Sequence, residues 1–449
     1  MIHKKSNKKP NGQVLVLIAL AMIGLLAVVA MAVDGSMVYA DRRDLQSAAD
    51  NAAMSAAGAA AISMDNDAIN YQTFLCSSSD PDDIEEVAAI QAAEIAAINA
   101  AISRTGTYGY PIDTDISDHN GVQITCRIVV VAGLVERYLD IRVEIVHQSE
   151  TGFTRFFLPN GVSNTVEAVA RVQPRRSLSR GNAIASLGPD CPGIEMTGTG
   201  DIFVTGGGIF SNSCLIFKGS TDININVVLG GIGYVTTYTE TNNVDIFPVD
   251  LTAEQSTEKL PIVEIPTPDC LSLTDYGVKD VNGTETIDPG RYTSINLGGS
   301  DHLIMNPGLY CFYGSFTTQG GQTVEVNPAS PNEQGVTIYM AAGDVSFNGN
   351  STIILRAPSV NQSPAIKGML IYMPPTNAGA VTLTGTSGSS FRGTVYAPTG
   401  AIDVGGTADI PFATELVGYS VKVHGTAKID VTDDAQFNFT RAPLIELVK

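Results

Sequence analysis

From Val14 to Val33 no side chain is charged, and from Gly12 to Ala61 there is no proline. An apolar run of about 20 residues, rising about 1.5 Å each, matches a hydrocarbon layer of roughly 30 Å. The pattern predicts a membrane-spanning helix over 13–34. Lys4, Lys5, Lys8 and Lys9 precede it. By the positive-inside rule, residues 1–12 are then a cytoplasmic basic tail, and everything after Asp34 lies outside. A cleaved signal peptide is the competing reading, because Val38-Tyr39-Ala40 resembles a small-residue cleavage site. A signal core is usually shorter than this run, and Asp34 separates the run from that site, so the anchor reading is preferred.

The helical pattern continues past the span. Asp41 to Ala61 is rich in Ala, Leu, Gln, Arg and Met, all good helix formers. Leu45, Ala48, Ala49, Ala52, Ala56 and Ala60 recur at three and four residues, forming one small-residue stripe. Such a stripe lets another element approach closely. Two readings stand side by side: Leu45, Ala49, Ala52 and Ala56 contact the helix of a partner, or they pack on their own domain.

Between Asp65 and Pro174 the pattern is mixed. Asp82 and Asp83 cap a predicted helix running to about Ser103, with Glu85 and Glu86 in its first turn. GVQITCRIVVVA is a predicted strand. In YLDIRVEIVH, Leu139, Ile141, Val143 and Ile145 alternate with Asp140, Arg142 and Glu144, which predicts one buried and one wet face. Glu150–Phe157 and Thr165–Val172 supply two more strands, and Pro174 to Gly181 reads as a polar basic linker.

From Gly188 the chain becomes short β runs punctuated by Gly, Asn, Asp and Ser. Ile194–Met196, Ile202–Val204, Leu215–Phe217 and Ile223–Val227 have the size of single faces of a coil. A repeat begins at Gly335, Gly368, Gly393 and Gly418: Gly, a short apolar strand, a turn, then in most cases a second strand. Repeats at such periods, with no helix between them, predict a parallel β-helix. Pro-Gly-x-Tyr at 289–292 and 307–310 is expected to form type II turns at a corner of the coil. The stretch 245–269, with Pro248, Pro261, Pro266 and Pro268, is expected to be a loop or clamp against the coils.

Composition narrows the function. The net charge is −20, and the basic tail lies across the membrane, so the exterior part is more acidic still. That excludes a nucleic-acid partner, which needs clustered Lys and Arg. Cys76, Cys126, Cys191, Cys214, Cys270 and Cys311 all follow the span, in a compartment where disulfides persist, and none is in a CxxC motif. They are disulfide candidates; of the 15 possible connectivities, sequential pairing keeps each bridge within one domain.

Little catalytic chemistry is legible. None of the 5 histidines makes an HxH or HExxH spacing, and no Walker loop or Gly-x-Ser-x-Gly elbow occurs. No catalytic, metal or cofactor site is expected. The enzyme alternative is a lyase or hydrolase of surface polysaccharide, which would need clustered carboxylates on one face. Asp201, Asp222, Asp344, Asp403, Asp409 and Asp430 flank strands, where the simpler reading is turn capping.

The N-terminal residues carry a resemblance. Gly12-Gln13-Val14, an apolar run ending in Val33-Asp34-Gly35, and DRRDLQSAADNAAMSAAGAA are similar to the start of the Flp pilus-assembly TadE/G-like family. FTRFFLPNG with VEAVARVQ, and the Gly-rich units beyond, resemble the middle and C-terminal regions of TadG-type proteins. Gly12 also resembles a prepilin cleavage position, but Leu17 stands where pilin-like sequences carry Glu, so an uncut anchor is expected. The resemblance implies an α+β, mostly β chain. It has a transmembrane helix (13–34), a pilin-like α+β module with an Ala-rich helix (35–176) and a β-solenoid domain (177–449). It also implies a non-catalytic, single-pass surface protein in pilus assembly, anchoring or adhesion, with no cofactor. Its partners would be the membrane, pilus or pilus-assembly proteins and a cell-surface or wall polymer. A structural filament subunit is the further alternative.

Overall fold

The computed structural model describes residues 13–66, 69, 71, 74, 76, 95–96, 99, 110–131, 134–153, 155, 161–219, 223–228, 230–241, 244–348, 350–406, 410–425, 429–432 and 436–449. Helix α1, Gln13–Asn66, is one unbroken element of 54 residues, about 80 Å long at 1.5 Å per residue. Its first part stands bare. Its second part lies on an antiparallel sheet of four strands: β1 (Gly121–Val131), β2 (Leu134–Ser149), β3 (Val162–Gln173) and the C-terminal strand Leu444–Leu447. The predicted helix up to Ser103 falls almost wholly outside the described residues; Ile95, Ala96 and Asn99 are helical.

Alternation sets the sheet's buried face. Leu139, Ile141, Val143 and Ile145 of β2, with Val166, Ala168, Ala170 and Val172 of β3, are buried against α1. Glu144, expected to be wet, is covered instead: His119 Nδ1 lies 2.7 Å from it, and Arg142 also pairs with it.

Beyond Ser177 the chain winds into a solenoid-like stack of parallel strands. Each turn contributes strands to three faces, as in Gly308–Phe312, Phe316–Thr318 and Thr323–Val326. The next turn, Val336–Met340, Val345–Phe347 and Thr352–Arg356, pairs with it residue for residue. The third face is a 10-stranded sheet, and the first two faces merge into a 17-stranded one through strands that bend at the corner. In-register stacking puts like side chains above one another. Tyr292 and Phe312 stack at 5.9 Å, and Phe391 on Phe412 at 5.2 Å, each pair register partners in successive turns of one apolar core. Each fully buried Phe contributes about 1.5–3 kcal/mol relative to an exposed one.

One corner shows why the stack needs glycine. A Cβ on Gly343, whose φ is +83°, would come within 2.7 Å of the Gly314 backbone one turn away. On Gly379 it would come within 2.2 Å of the Gly343 carbonyl oxygen, and on Gly400 within 2.0 Å of that of Gly379. Backbones of successive turns approach there more closely than any side chain allows.

The order of turns in space is not their order in the chain. The last turn, Leu416–Gly425 with Ile429–Thr432, pairs in parallel with the first, Asn182–Ser186, Ile194–Gly198 and Ile202–Thr205. From that seam the first turns run outward to Ala253–Gln255. Residues 256–274 then cross the stack as a strap to the opposite end. There Asp275–Val281 begins the return.

Leu260, Ile265 and Cys270 of the strap are buried. Its backbone is held turn by turn. Asn212 Oδ1 accepts Leu260 N–H at 2.7 Å and its Nδ2 donates to Leu260 O at 2.8 Å. Tyr396 Oη accepts Val263 N–H at 2.9 Å and donates to Val263 O at 2.7 Å, and Tyr372 Oη donates to Ile265 O at 2.8 Å. The clamp expected at 245–269 is therefore real but shifted, because Val244–Phe247 and Ala253–Gln255 join the coils.

Several expectations are corrected. The solenoid unit expected over 177–449 does not hold the chain's end, for Leu444–Leu447 pairs with β3 and Thr440–Arg441 with Arg176–Ser177. Pro174–Gly181 is not a solvated linker: Leu178 and Ser179 are buried, and Arg175 binds Asp65 through two bonds of 2.6 and 2.8 Å. Gly290 lacks a positive φ and Gly308 has φ +151°, so neither Pro-Gly pair forms a type II turn; both glycines open strands. The cysteine expectation stands uncorrected: the pairing is the sequential one, Cys76–Cys126, Cys191–Cys214 and Cys270–Cys311.

Candidate membrane anchor and its seat

Helix α1 changes character at Asp34. Every described side chain from Val14 to Val33 except half-buried Ala30 is exposed, and Leu25, Leu26 and Met31 are among the barest apolar groups. Among the described residues this is the helix long and apolar enough to cross a membrane. A row of that length left in water would be strongly unfavourable, so it needs an apolar medium.

Asp34 is 4 % exposed. Its Oδ1 accepts Gly152 N–H at 2.9 Å, and Phe153 N–H lies 3.1 and 3.0 Å from its two carboxylate oxygens. The carboxylate thus ties the helix, one residue beyond the apolar run, to the loop after β2. Two further acids follow on the same face, at 7- and 3-residue steps. Asp41 accepts from Ser149 Oγ, with His147 Nε2 at 3.9 Å, and Asp44 accepts from Tyr110 Oη at 3.1 Å. Gln46 Nε2 donates to Glu167 O at 3.0 Å. Asp65, paired with Arg175, closes the far end.

Between these polar ties lies the stripe. Leu45, Ala49, Ala52 and Ala56 have no exposed surface, and neither do Ala48, Ala53, Ala57 and Ala60. They pack on the sheet of their own chain. Of the two readings left open by the sequence, the geometry corrects the partner-helix one: β2 and β3 already fill the stripe. Alanine suits the seat because a helix approaches a sheet closely only where side chains are small.

The stack offers a polar coat. Thr317, Ser346, Thr382, Asp403, Lys422 and Glu195 stand in one register column on the second face, and Lys218 lies 3.5 Å from Glu195. The large described aromatics point mostly inward. Of the acids suspected of catalysis, Asp344, Asp403 and Asp430 do not converge. Asp344 caps a corner by accepting Ala380 N–H, Asp403 on the second face lies 2.7 Å from His424, and Asp430 on the third face accepts from Thr432. Asp222 and Asp409 lie outside the described residues. Among the described residues no cluster of His, Cys, Asp or Glu could hold a metal ion.

The sequence reading missed two carboxylates. Asp34 was visible only as the acid ending an apolar run, with no sign that its partners lie 118 residues away. Glu415 gave no signal; it is fully buried at the seam, where it accepts from Ser179 and Thr394.

Fold and site together define a class: a protein with one long apolar helix, seated on a small antiparallel sheet and followed by a solenoid-like β stack. Residues 12–60 match the family model described as putative Flp pilus-assembly TadE/G-like. That match covers the bare helix and most of its seat. Among solved structures, the competence-associated pilin ComZ from Thermus thermophilus aligns at 10 % identity over 77 % of this chain and 89 % of that one, with a TM-score of 0.24. A likeness of that size carries no argument about fold or function. No curated protein matches the chain.

Proposed function

We propose that this is a non-catalytic surface protein of a Flp/Tad-type pilus system, acting in pilus assembly, anchoring or adhesion. The helix 13–34 anchors it with the N-terminus in the cytoplasm. The sheet-backed module, built from 35–176 and completed by Leu444–Leu447, seats that helix, and the stack is a parallel β-helix presented outside the cell. The observation that carries the reading is a coincidence of place. The segment similar to the TadE/G-like family, residues 12–60, is the segment whose first half is bare and apolar. The polar coat of the stack supports a spacer, or a surface for a cell-surface or wall polymer, more than a catalytic cleft.

Because the sheet fills the Leu45–Ala56 stripe, pilus proteins would meet this chain through the bare apolar half-helix or the flanks of the stack. The test is cross-linking of the tagged full chain in cells assembling such a pilus, followed by membrane fractionation. Recovery in membranes with pilus components is expected. Recovery as a soluble protein, or in membranes without them, would overturn the reading.

A second reading has one observation in its favour. An unbroken helix with a bare apolar half can be buried in a bundle of like helices as well as in lipid. The chain would then be a filament subunit. Intact-mass measurement of the N-terminus and its recovery from sheared filaments separate the two.

A further inference from the structure

We propose that Gly152 and Phe153, just after β2, form a second membrane contact, with Phe153 seated at the lipid headgroup–acyl boundary beside the helix. The inference rests on the anchor reading and adds to it a site outside the helix.

The argument is one of depth. The apolar run ends at Val33, so the boundary of the hydrocarbon falls at Asp34. A bare aspartate is costly at that depth. Asp34 is not bare: the backbone N–H groups of Gly152 and Phe153 cover it. The same bonds fix the height of Gly152 and Phe153. They leave the Phe153 backbone level with Asp34 and its side chain 55 % exposed. The fit at Gly152 is close, since a Cβ there would come within 3.3 Å of Asp34 Oδ1.

An exposed phenylalanine is unremarkable on a surface, but here its position is set by a buried carboxylate one residue above the hydrocarbon. Two other exposed side chains lie a little farther out. Met37 and Tyr39 are 48 % and 73 % exposed, about 5–8 Å farther along the helix axis. The interfacial layer adds roughly 5–7 Å on each side of the hydrocarbon, so Met37 lies in it and Tyr39 at its outer edge. Aromatic groups are favoured in this layer. The occupant is therefore the bilayer itself, continuous with the surface around the helix. Two contacts separated in sequence would fix the helix's rotation and the tilt of the module, which a lone span does not.

The test uses the full chain in lipid nanodiscs, with p-benzoylphenylalanine placed singly at Leu26, Phe153 or Tyr313. Tyr313 is an exposed side chain of the stack. Lipid adducts by mass spectrometry are expected at 26 and 153 and not at 313. Adducts at 26 without adducts at 153 overturn this proposal and leave the anchor intact. Absence of adducts at 26 removes the anchor and this proposal together. With the probe at 153, Asp34→Ala should reduce lipid adducts at least about threefold, while adducts at 26 persist. The Cys76–Cys126 bond, read in the same spectra, reports that the module has folded. Undiminished adducts at 153 in that variant would overturn the role given to Asp34.

Discussion

Ser179 Oγ donates to Glu415 Oε1 at 2.6 Å, joining residues 236 apart in the chain. The bond crosses the seam where the first and last turns of the stack meet. Ser179 N–H at 2.9 Å and Thr394 Oγ1 at 3.1 Å also donate to the carboxylate, and the Ser177 hydroxyl adds a further bond. Burial outweighs these donors and pushes the Glu415 carboxyl up to about 6 from an ordinary 4.5.

The sign of the resulting pH dependence is fixed. The folded chain holds this proton more tightly than the unfolded chain does. The stabilisation is therefore full below about 4.5 and is lost as pH rises through about 6. Glu415→Gln should be more stable than the parent near neutral pH, with the difference vanishing below pH 4.5. Chemical denaturation of both proteins across this range checks it; parallel curves would refute it.

Tyr396→Phe should loosen the strap. It leaves both the N–H and the carbonyl of Val263 without their partner, at a cost of roughly 1–3 kcal/mol. Amide exchange at Val263 should accelerate most. Tyr372→Phe removes a single bond to Ile265 and should cost less. Equal effects, or faster exchange far from the strap only, would contradict the assignment.

Ala52→Leu tests the seat. Ala52 has no exposed surface against the sheet, so the added carbons overpack the contact and cost about 1–3 kcal/mol. The thermal midpoint of the sheet-backed module should fall in detergent, with no partner present. An unchanged midpoint would return the stripe to the partner-helix reading. Ala49→Glu and Ala52→Glu should unfold the module outright, so lost co-purification in such variants would not map an interface.

Cys270 and Cys311 are 41 residues apart. The chain-entropy treatment gives about 4 kcal/mol for closing a loop of that length. Replacing both with serine should expose the strap to protease near Cys270 before the rest of the stack is cut. Simultaneous loss of all turns would show instead that the strap is no separate unit.

Local pattern made much of this fold legible. The bare helix, the alternation of β2 and the Gly-led repeats each follow from one short window of sequence. The periodicity at Leu45–Ala60 announced a buried stripe but not its occupant, because small residues suit a helix and a sheet equally. The seam was not legible. Parallel pairing of Leu416 with Ile184 joins positions no repeat connects, and the pairing reads the same whichever turn lies above. The return of Leu444–Leu447 to β3 was hidden for a related reason: a four-residue strand has too little pattern to name its sheet. At the anchor, the apolar run showed its length, but the partners of Asp34 are backbone N–H groups, which leave no mark in residue identity.

Both ends of the stacked region depart from its interior, at the joined first and last turns. In a linear stack hauled by one terminus, tension would strip turns away singly from that tip. Here a force arriving through the anchor is taken up by neighbouring strands with further turns on either side, two in one direction and six in the other along the third face. Neither tip is the point of attachment, so a shearing load meets the middle of the column and unwinding has no free end from which to start.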